Sequence, residues 1–325
     1  MSESDVVVVT GADGFIGRAL VAHFDSAGRA YRAIVRRIDP ARRAKPGVRA
    51  AGDLATAPDA ELDALLADAT AVVHLAGRAH VLDETDSAPA AAYASANVEA
   101  TVRLARAAVR ARVRCFVLAS TVKVNGEASA PGHPFKPGDP PNPADDYARS
   151  KANAERELAA ICKDTAASPI VLRLPLVYGP GVKGNFLALL DEVARARPLP
   201  LGAIRNRRSL LYVGNLVDAI EAALAARSAP SGVHFITDAE SVSVPALVTA
   251  VGNALGIPVR LKAVPVRLLA FAGQVAGRRA LIERLVGTLE ADPTSFSEAT
   301  GWHPRYSLAE GLDATARWWR LRHSI

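Results

Sequence analysis

Four consecutive valines, Val6 to Val9, run into the stretch TGADGFIG, Thr10 to Gly17. An extended segment that is apolar at every position has two faces to bury, so it demands cover both above and below. The turn leads into a segment in which Ile16, Leu20, Val21 and Phe24 recur at helical spacing, and Gly28 is placed to end that helix. The same alternation continues through YRAIV (31–35), AVVHLA (71–76), CFVLAS (115–120) and IVLRL (170–174), with alanine-rich helical stretches between them. Buried strands separated by helix-length segments predict an α/β fold built on a doubly wound parallel sheet.

The alternation breaks at PGHPFKPGDPPNPADD (131–146), where six prolines suit an irregular loop, and a helical pattern resumes at Tyr147. Beyond Pro175 the chain becomes mixed, is punctuated by VYGPGVKGNF (177–186), and ends in the amphipathic stretch 308–322. We therefore expect a first domain over 1–173 and a smaller mixed α/β domain over 174–325. Segment 210–239, with the strand VHFIT (233–237), is expected to return to the first. Trp302, Trp318 and Trp319 are read as packing aromatics of the small domain.

A chain of 325 residues builds a large core without staples. Its two cysteines, Cys115 and Cys162, give neither a disulfide framework nor a paired ligand spacing, and none of the seven histidines has metal-ligand spacing. No bound metal is expected. The N-terminus lacks a secretory pattern and no run is apolar enough to span a bilayer, so the expected setting is cytoplasmic, with no membrane insertion. The net charge of +6 comes from arginines scattered in pairs, a solvated-surface pattern with no nucleic-acid reader motif, so no nucleic-acid partner is expected.

The glycines of the first turn suit a dinucleotide diphosphate. Gly11 permits the turn off the strand, Gly14 lets backbone N–H groups approach phosphate oxygens, and Gly17 lets the helix lie close on the strand, while the helix N-terminus supplies positive potential. At the end of the second strand, where NAD binders carry an acidic residue for the ribose 2′-hydroxyl, this chain has Val35, Arg36 and Arg37. Guanidinium groups suit a 2′-phosphate, which points to NADP and leaves NAD open. Asp53 and Leu54 are placed either to meet the adenosine half or simply to close a turn.

Tyr147 and Lys151, four residues apart in YARSK, project from one helix face, and the upstream strand delivers Thr121 to the sheet edge where ligands bind. Together they form a proton-transfer device: Tyr147 as general acid or base on a carbinol oxygen, Thr121 positioning that oxygen, and Lys151 with an oxidised nicotinamide lowering the phenol pKa.

These features, with AGR (76–78), Asn97 in NVEAT and LPLVYGP (174–180), resemble the extended short-chain dehydrogenase/reductase family over essentially the whole chain. The resemblance implies a Rossmann-type sheet, catalytic roles for Thr121, Tyr147 and Lys151, and a nucleotide-linked sugar as substrate. It places cofactor contacts on Gly11, Gly14, Phe15, Ile16, Gly17, Arg36, Arg37, Asp53, Leu54, Leu75, Ala76, Gly77, Tyr147, Lys151 and Pro175. Asn97 is implied as a supporting helix residue. Substrate contacts are expected from Arg208, with Arg207 beside it as the alternative, and from Lys183, Asn185, Lys123 and His80. Sugar 4,6-dehydratases carry an Asp-Glu pair after the Thr; Val122 and Lys123 stand there instead, which argues against dehydration.

In STVKVNGE (120–127), GVKGNF (181–186) and RNRRSLLYVGNLVDA (205–219) the sequence most resembles a bacterial subgroup of surface-polysaccharide synthesis that includes reductases of UDP-linked 4-keto-6-deoxy-N-acetylglucosamine. A UDP-sugar 4-epimerase with tightly held NAD uses the same three side chains and stays open, as does a non-catalytic NADP sensor. A homodimer through segments 89–112 and 147–162 is a further expectation.

Overall fold

The computed structural model describes residues 5–38, 47–79, 88–226, 228–275, 277 and 279–323. Strand β1 (Val6–Thr10) is followed by helix α1 (Phe15–Ala27), β2 (Tyr31–Val35), β3 (Val48–Ala50), α2 (Asp59–Leu66) and β4 (Ala69–His74). Next come α3 (Pro89–Tyr93), one π-helical turn (Ala94–Glu99) running into α4 (Ala100–Arg110), β5 (Cys115–Thr121) and a 3₁₀ turn (Val122–Val124). Then follow α5 (Asp146–Cys162), β6 (Ser168–Leu174), β7 (Leu176–Tyr178), α6 (Gly184–Ala194), β8 (Leu210–Tyr212), α7 (Val213–Ala225) and β9 (Gly232–Phe235). Five helices complete the chain: α8 (Val244–Leu255), α9 (Val266–Val275), α10 (Arg279–Val286), α11 (Thr294–Thr300) and α12 (Leu308–His323).

Seven parallel strands form one sheet in the order β3-β2-β1-β4-β5-β6-β9. The four valines explain its two-sided burial: Val7 and Val9 face one core with α1 and α7, Val8 faces the other with α2, α4 and α5, and all three have 0% exposure. Strand order reverses between β1 and β4, which opens a crevice beyond their C-terminal ends, the place where open α/β sheets bind ligands. The glycine turn after β1 lies at this switch point.

A third core gathers α6, α8 and α12 around Tyr178, Phe186 and Trp319, with Trp318 packed against it. Strands β7 and β8 pair in parallel, and β9 pairs with β6, as the returning strand requires. Trp302 departs from expectation: it packs with Phe296 into the core of the large sheet, not into the small domain. Helix α11 carries this aromatic pair back against β9, where His234 meets the Phe296 ring. Both cysteines are free and buried.

Candidate active site

Backbone sterics account for the glycine turn. Gly11 has φ +67°, and a Cβ there would lie 2.6 Å from the Ala76 nitrogen; at Gly17 it would lie 2.2 Å from the Gly11 carbonyl oxygen. Both clashes are with main chain, which cannot swing aside, so β1, β4 and α1 converge only because those Cβ atoms are missing. Gly14 is the N-cap of α1, which has neither a side-chain cap nor an acidic residue in its first turn. Its leading N–H groups and positive end therefore remain available to an anion.

Beside this turn lies a cleft of about 280 Å³ lined by Gly11, Gly14, Arg36, Asp53, Leu54, Leu75, Ala76 and Gly77, together with Val35 and the alanines Ala96 and Ala100. A cradle that admits no Cβ, an open helix N-terminus and a groove running to the ends of β2 and β3 together fit a dinucleotide. Arg36 borders the groove, and Arg37 stands exposed next to it, outside the lining. Asp53 serves both roles foreseen for it, bordering the groove while its carboxylate accepts from the Ala55 N–H (3.0 Å) to close a turn.

Three expected cofactor side chains are placed elsewhere. Ile16 packs into the sheet core, and the Phe15 ring lies against Gly181 and borders a separate surface cleft with Arg18 and Tyr212. Successive residues of a helix's first turn point in different directions, so only the main-chain N–H groups of Phe15 and Ile16 remain for an anion. Pro175 is buried between β6 and β7, outside the lining of the cleft.

The chemical groups converge at the end of β5. Asp145 caps α5 by accepting from the Ala148 N–H (2.7 Å), which fixes where Tyr147 and Lys151 emerge. The Tyr147 hydroxyl hydrogen-bonds the Thr121 side chain, and its ring packs on Tyr93 with centroids 5.9 Å apart. Lys151 is buried, with Nζ donating to the Ala119 carbonyl at 2.8 Å, directly beside Gly77. Thr121, Tyr147 and Lys151 thus lie next to the glycine-lined cleft.

In the chain by itself, burial governs the Tyr147 phenol. Burial pushes Tyr147 up to about 12, the Thr121 hydrogen bond opposing and Asp145 adding to the rise. Lys151 is brought down to about 8 by burial, against the pull of the Glu155 carboxylate. The Lys151 ammonium is committed to the Ala119 carbonyl.

Behind the trio stand two polar networks that sequence reasoning missed. Glu155 and Arg173 form a buried pair (2.6 Å); Ser120 donates to Glu155, and Arg173 donates to the Asn125 side-chain oxygen at 2.9 Å. A lone arginine in the apolar run IVLRL was the available signal. His74, held down at about 3 chiefly by burial and then by Lys151, is a neutral relay. Thr101 donates to the Asn97 carbonyl (2.6 Å), so it accepts from His74 Nε2, and His74 Nδ1 accepts from Thr10. The Asn97 side chain, on the π-helical turn, bonds both main-chain groups of Arg78 and the Ser150 hydroxyl, tying the cofactor loop to α5.

Among the expected substrate residues, Arg208 is the inward member of its pair. Its Nη1 donates to the Arg284 and Gly287 carbonyls (2.7 and 3.0 Å), and burial lowers its pKa while Glu127 opposes. Arg207 points outward to Glu290 and Ser241. Lys123 Nζ is held by Glu127 (2.9 Å) and Asp145 (3.0 Å), and Val122 is buried. Lys183 and Asn185 are exposed at the start of α6. His80 lies outside the described residues. No group of three or more His, Cys, Asp or Glu suited to a metal occurs among the described residues.

A dinucleotide cradle abutting a Thr-Tyr-Lys trio defines an oxidoreductase of the short-chain dehydrogenase/reductase type. More particularly, the chain belongs to the NAD dependent epimerase/dehydratase family, which it matches over residues 7–236. It is 36% identical over 317 residues to a UDP-glucose 4-epimerase of Vibrio cholerae, covering 96% of this chain and 94% of the relative. It is 31% identical to a dTDP-6-deoxy-L-talose 4-dehydrogenase (NAD(P)(+)) of Kitasatospora kifunensis, covering 94% and 93% of the two chains. Among solved structures it resembles MoeE5 in complex with UDP-glucuronic acid and NAD, at 28% identity and a TM-score of 0.76, covering 98% and 99% of the chains.

Proposed function

We propose that the chain is a nucleotide-sugar 4-reductase that uses NADPH to reduce a UDP-linked 4-keto-6-deoxy-N-acetylhexosamine, in polysaccharide biosynthesis. The observation that supports the reading is Arg36 bordering the groove at the end of β2, where a guanidinium suits the 2′-phosphate of NADPH. Burial pushes the Tyr147 phenol up to about 12, and in its protonated form it can donate to a ketone oxygen. The bound reduced dinucleotide supplies a hydride to C4. Tyr147 donates its proton to O4, Thr121 holds that oxygen in place, and the Lys151 ammonium holds the nicotinamide ribose. Arg36, bordering the groove, favours the 2′-phosphate through charge-assisted hydrogen bonds. Arg208, with Lys183 and Asn185 from α6, holds the diphosphate; Lys123 borders the sugar.

The likeness to the Kitasatospora 4-dehydrogenase supports chemistry at C4 of a deoxysugar, and the MoeE5 complexes support a UDP-sugar. A second reading, UDP-hexose 4-epimerase with retained NAD, is favoured by the Vibrio relative. The test incubates the protein with UDP-4-keto-6-deoxy-N-acetylglucosamine and NADPH, then with UDP-N-acetylglucosamine or UDP-galactose without added reductant. Stoichiometric NADPH consumption in the first and no change in the second is expected. Isomer formation without reductant overturns the reductase in favour of the epimerase. We also propose a homodimer contact on α4 and α5, whose outer flank carries half-buried Arg103 and exposed Arg156 around a shallow groove.

A further inference from the structure

We propose that the α9–α10 hairpin docks this protein on an anionic lipid surface. Helix α9 packs Val266 and Leu269 against the small-domain core and buries Gly273. Its other face exposes Leu268 (58%), Phe271 (67%) and Val275 (74%), spaced three and four residues apart and so aligned in one stripe. Six large apolar side chains are exposed among the described residues, and three of them lie on this ten-residue helix. Single exposed apolar residues are ordinary, but a continuous stripe marks a surface meant to be covered.

Charge selects the occupant. From Ser241 to Ile282 the sequence contains no Asp or Glu and five Lys or Arg. Arg260, Lys262 and Arg267 are exposed beside the stripe, and the pairing of Leu199 with Leu261 brings exposed Arg197 alongside. The nearby Arg195 is neutralised by Glu192. An apolar helical stripe bordered by cations fits the headgroup boundary of an anionic bilayer, where both features gain at once. A second copy docking through this face would bring the same cations together, which opposes self-association. The hairpin is tied to the substrate side of the molecule, because Arg208 and Asn206 hold the Leu285 and Gly287 carbonyls at the end of α10. Docking would therefore present that side near the bilayer. No helix among the described residues is long and apolar enough to cross a membrane, so the contact is with the surface.

The test sediments the full chain with phosphatidylcholine vesicles and with vesicles carrying roughly 30% phosphatidylglycerol, the kind of anionic surface that attracts basic segments. Binding to the anionic vesicles is expected, weakened by added salt. The triple variant Leu268→Ser, Phe271→Ser, Val275→Ser should lose at least about ten-fold in binding. Its sugar-nucleotide turnover in solution should be unchanged, so failure here is distinguishable from failure of the reductase reading. Absence of binding to anionic vesicles, equal binding by the triple variant, or a concentration-dependent dimer that the variant abolishes without vesicle binding each overturns the proposal.

Discussion

If burial governs Tyr147, the forward and reverse reactions must respond to pH in opposite ways. The phenol stands at about 12 and the Lys151 ammonium at about 8. Bringing the phenol from there to 7 is a drop of five units, or about 7 kcal/mol at about 1.4 kcal/mol per unit. Even a full positive charge at about 4 Å supplies only about 4 kcal/mol at an effective dielectric of 20, or about three units. One such charge therefore falls short of the drop needed, and the phenol remains protonated at neutral pH. Keto reduction, which uses the phenol, is therefore expected to be flat from about pH 6 to 8. It should fall above that as Lys151 loses its charge, since the lysine is an ammonium below its pKa and neutral above it. Alcohol oxidation uses the phenolate and should rise about ten-fold per pH unit over the same range. Both arms are measured by cofactor absorbance in each direction, with phenolate difference absorbance of the cofactor-free protein as the control. An oxidation rate independent of pH between 6 and 8, or phenolate present at pH 7 without cofactor, would refute the reasoning.

Gly17→Ala drives a methyl to within 2.2 Å of a main-chain oxygen, so it should cost about 3 kcal/mol or more and abolish dinucleotide binding; an unchanged melting temperature and titration count against the close-packing account. Glu155→Ala strands the Arg173 guanidinium in the interior, with an expected loss of about 3–5 kcal/mol in urea unfolding. The same change removes the carboxylate that supports Lys151, so the lysine should titrate below about 8, and no movement of the pH–rate fall would sink that link. Arg36→Ala should weaken NADPH relative to NADH by about ten-fold or more, the worth of a charge-assisted hydrogen bond, and an unaltered preference would remove the arginine from 2′-phosphate recognition.

Much of the site was legible because its signals are local. A run of valines asks for cover on both faces, two glycines of the turn, Gly11 and Gly17, mark positions where a Cβ cannot fit, and Tyr147 and Lys151 share a face by helix geometry alone. That Val122 and Lys123, not an Asp-Glu pair, follow Thr121 is likewise read from two adjacent letters.

Other properties came from neighbours distant in the chain. Adjacent residues on an extended segment face opposite ways, so only the bridges of Arg208 to Val242 and Leu289 decide that Arg208, and not Arg207, turns inward. Trp302 joined the large sheet because α11 returns to β9, and the Glu155–Arg173 pair exists because α5 lies across β6. The direction of the Tyr147 shift belongs to this second group. Residue identity and spacing determine which groups can meet, but desolvation is a property of everything packed around them, and that is set only when the helices close over the sheet.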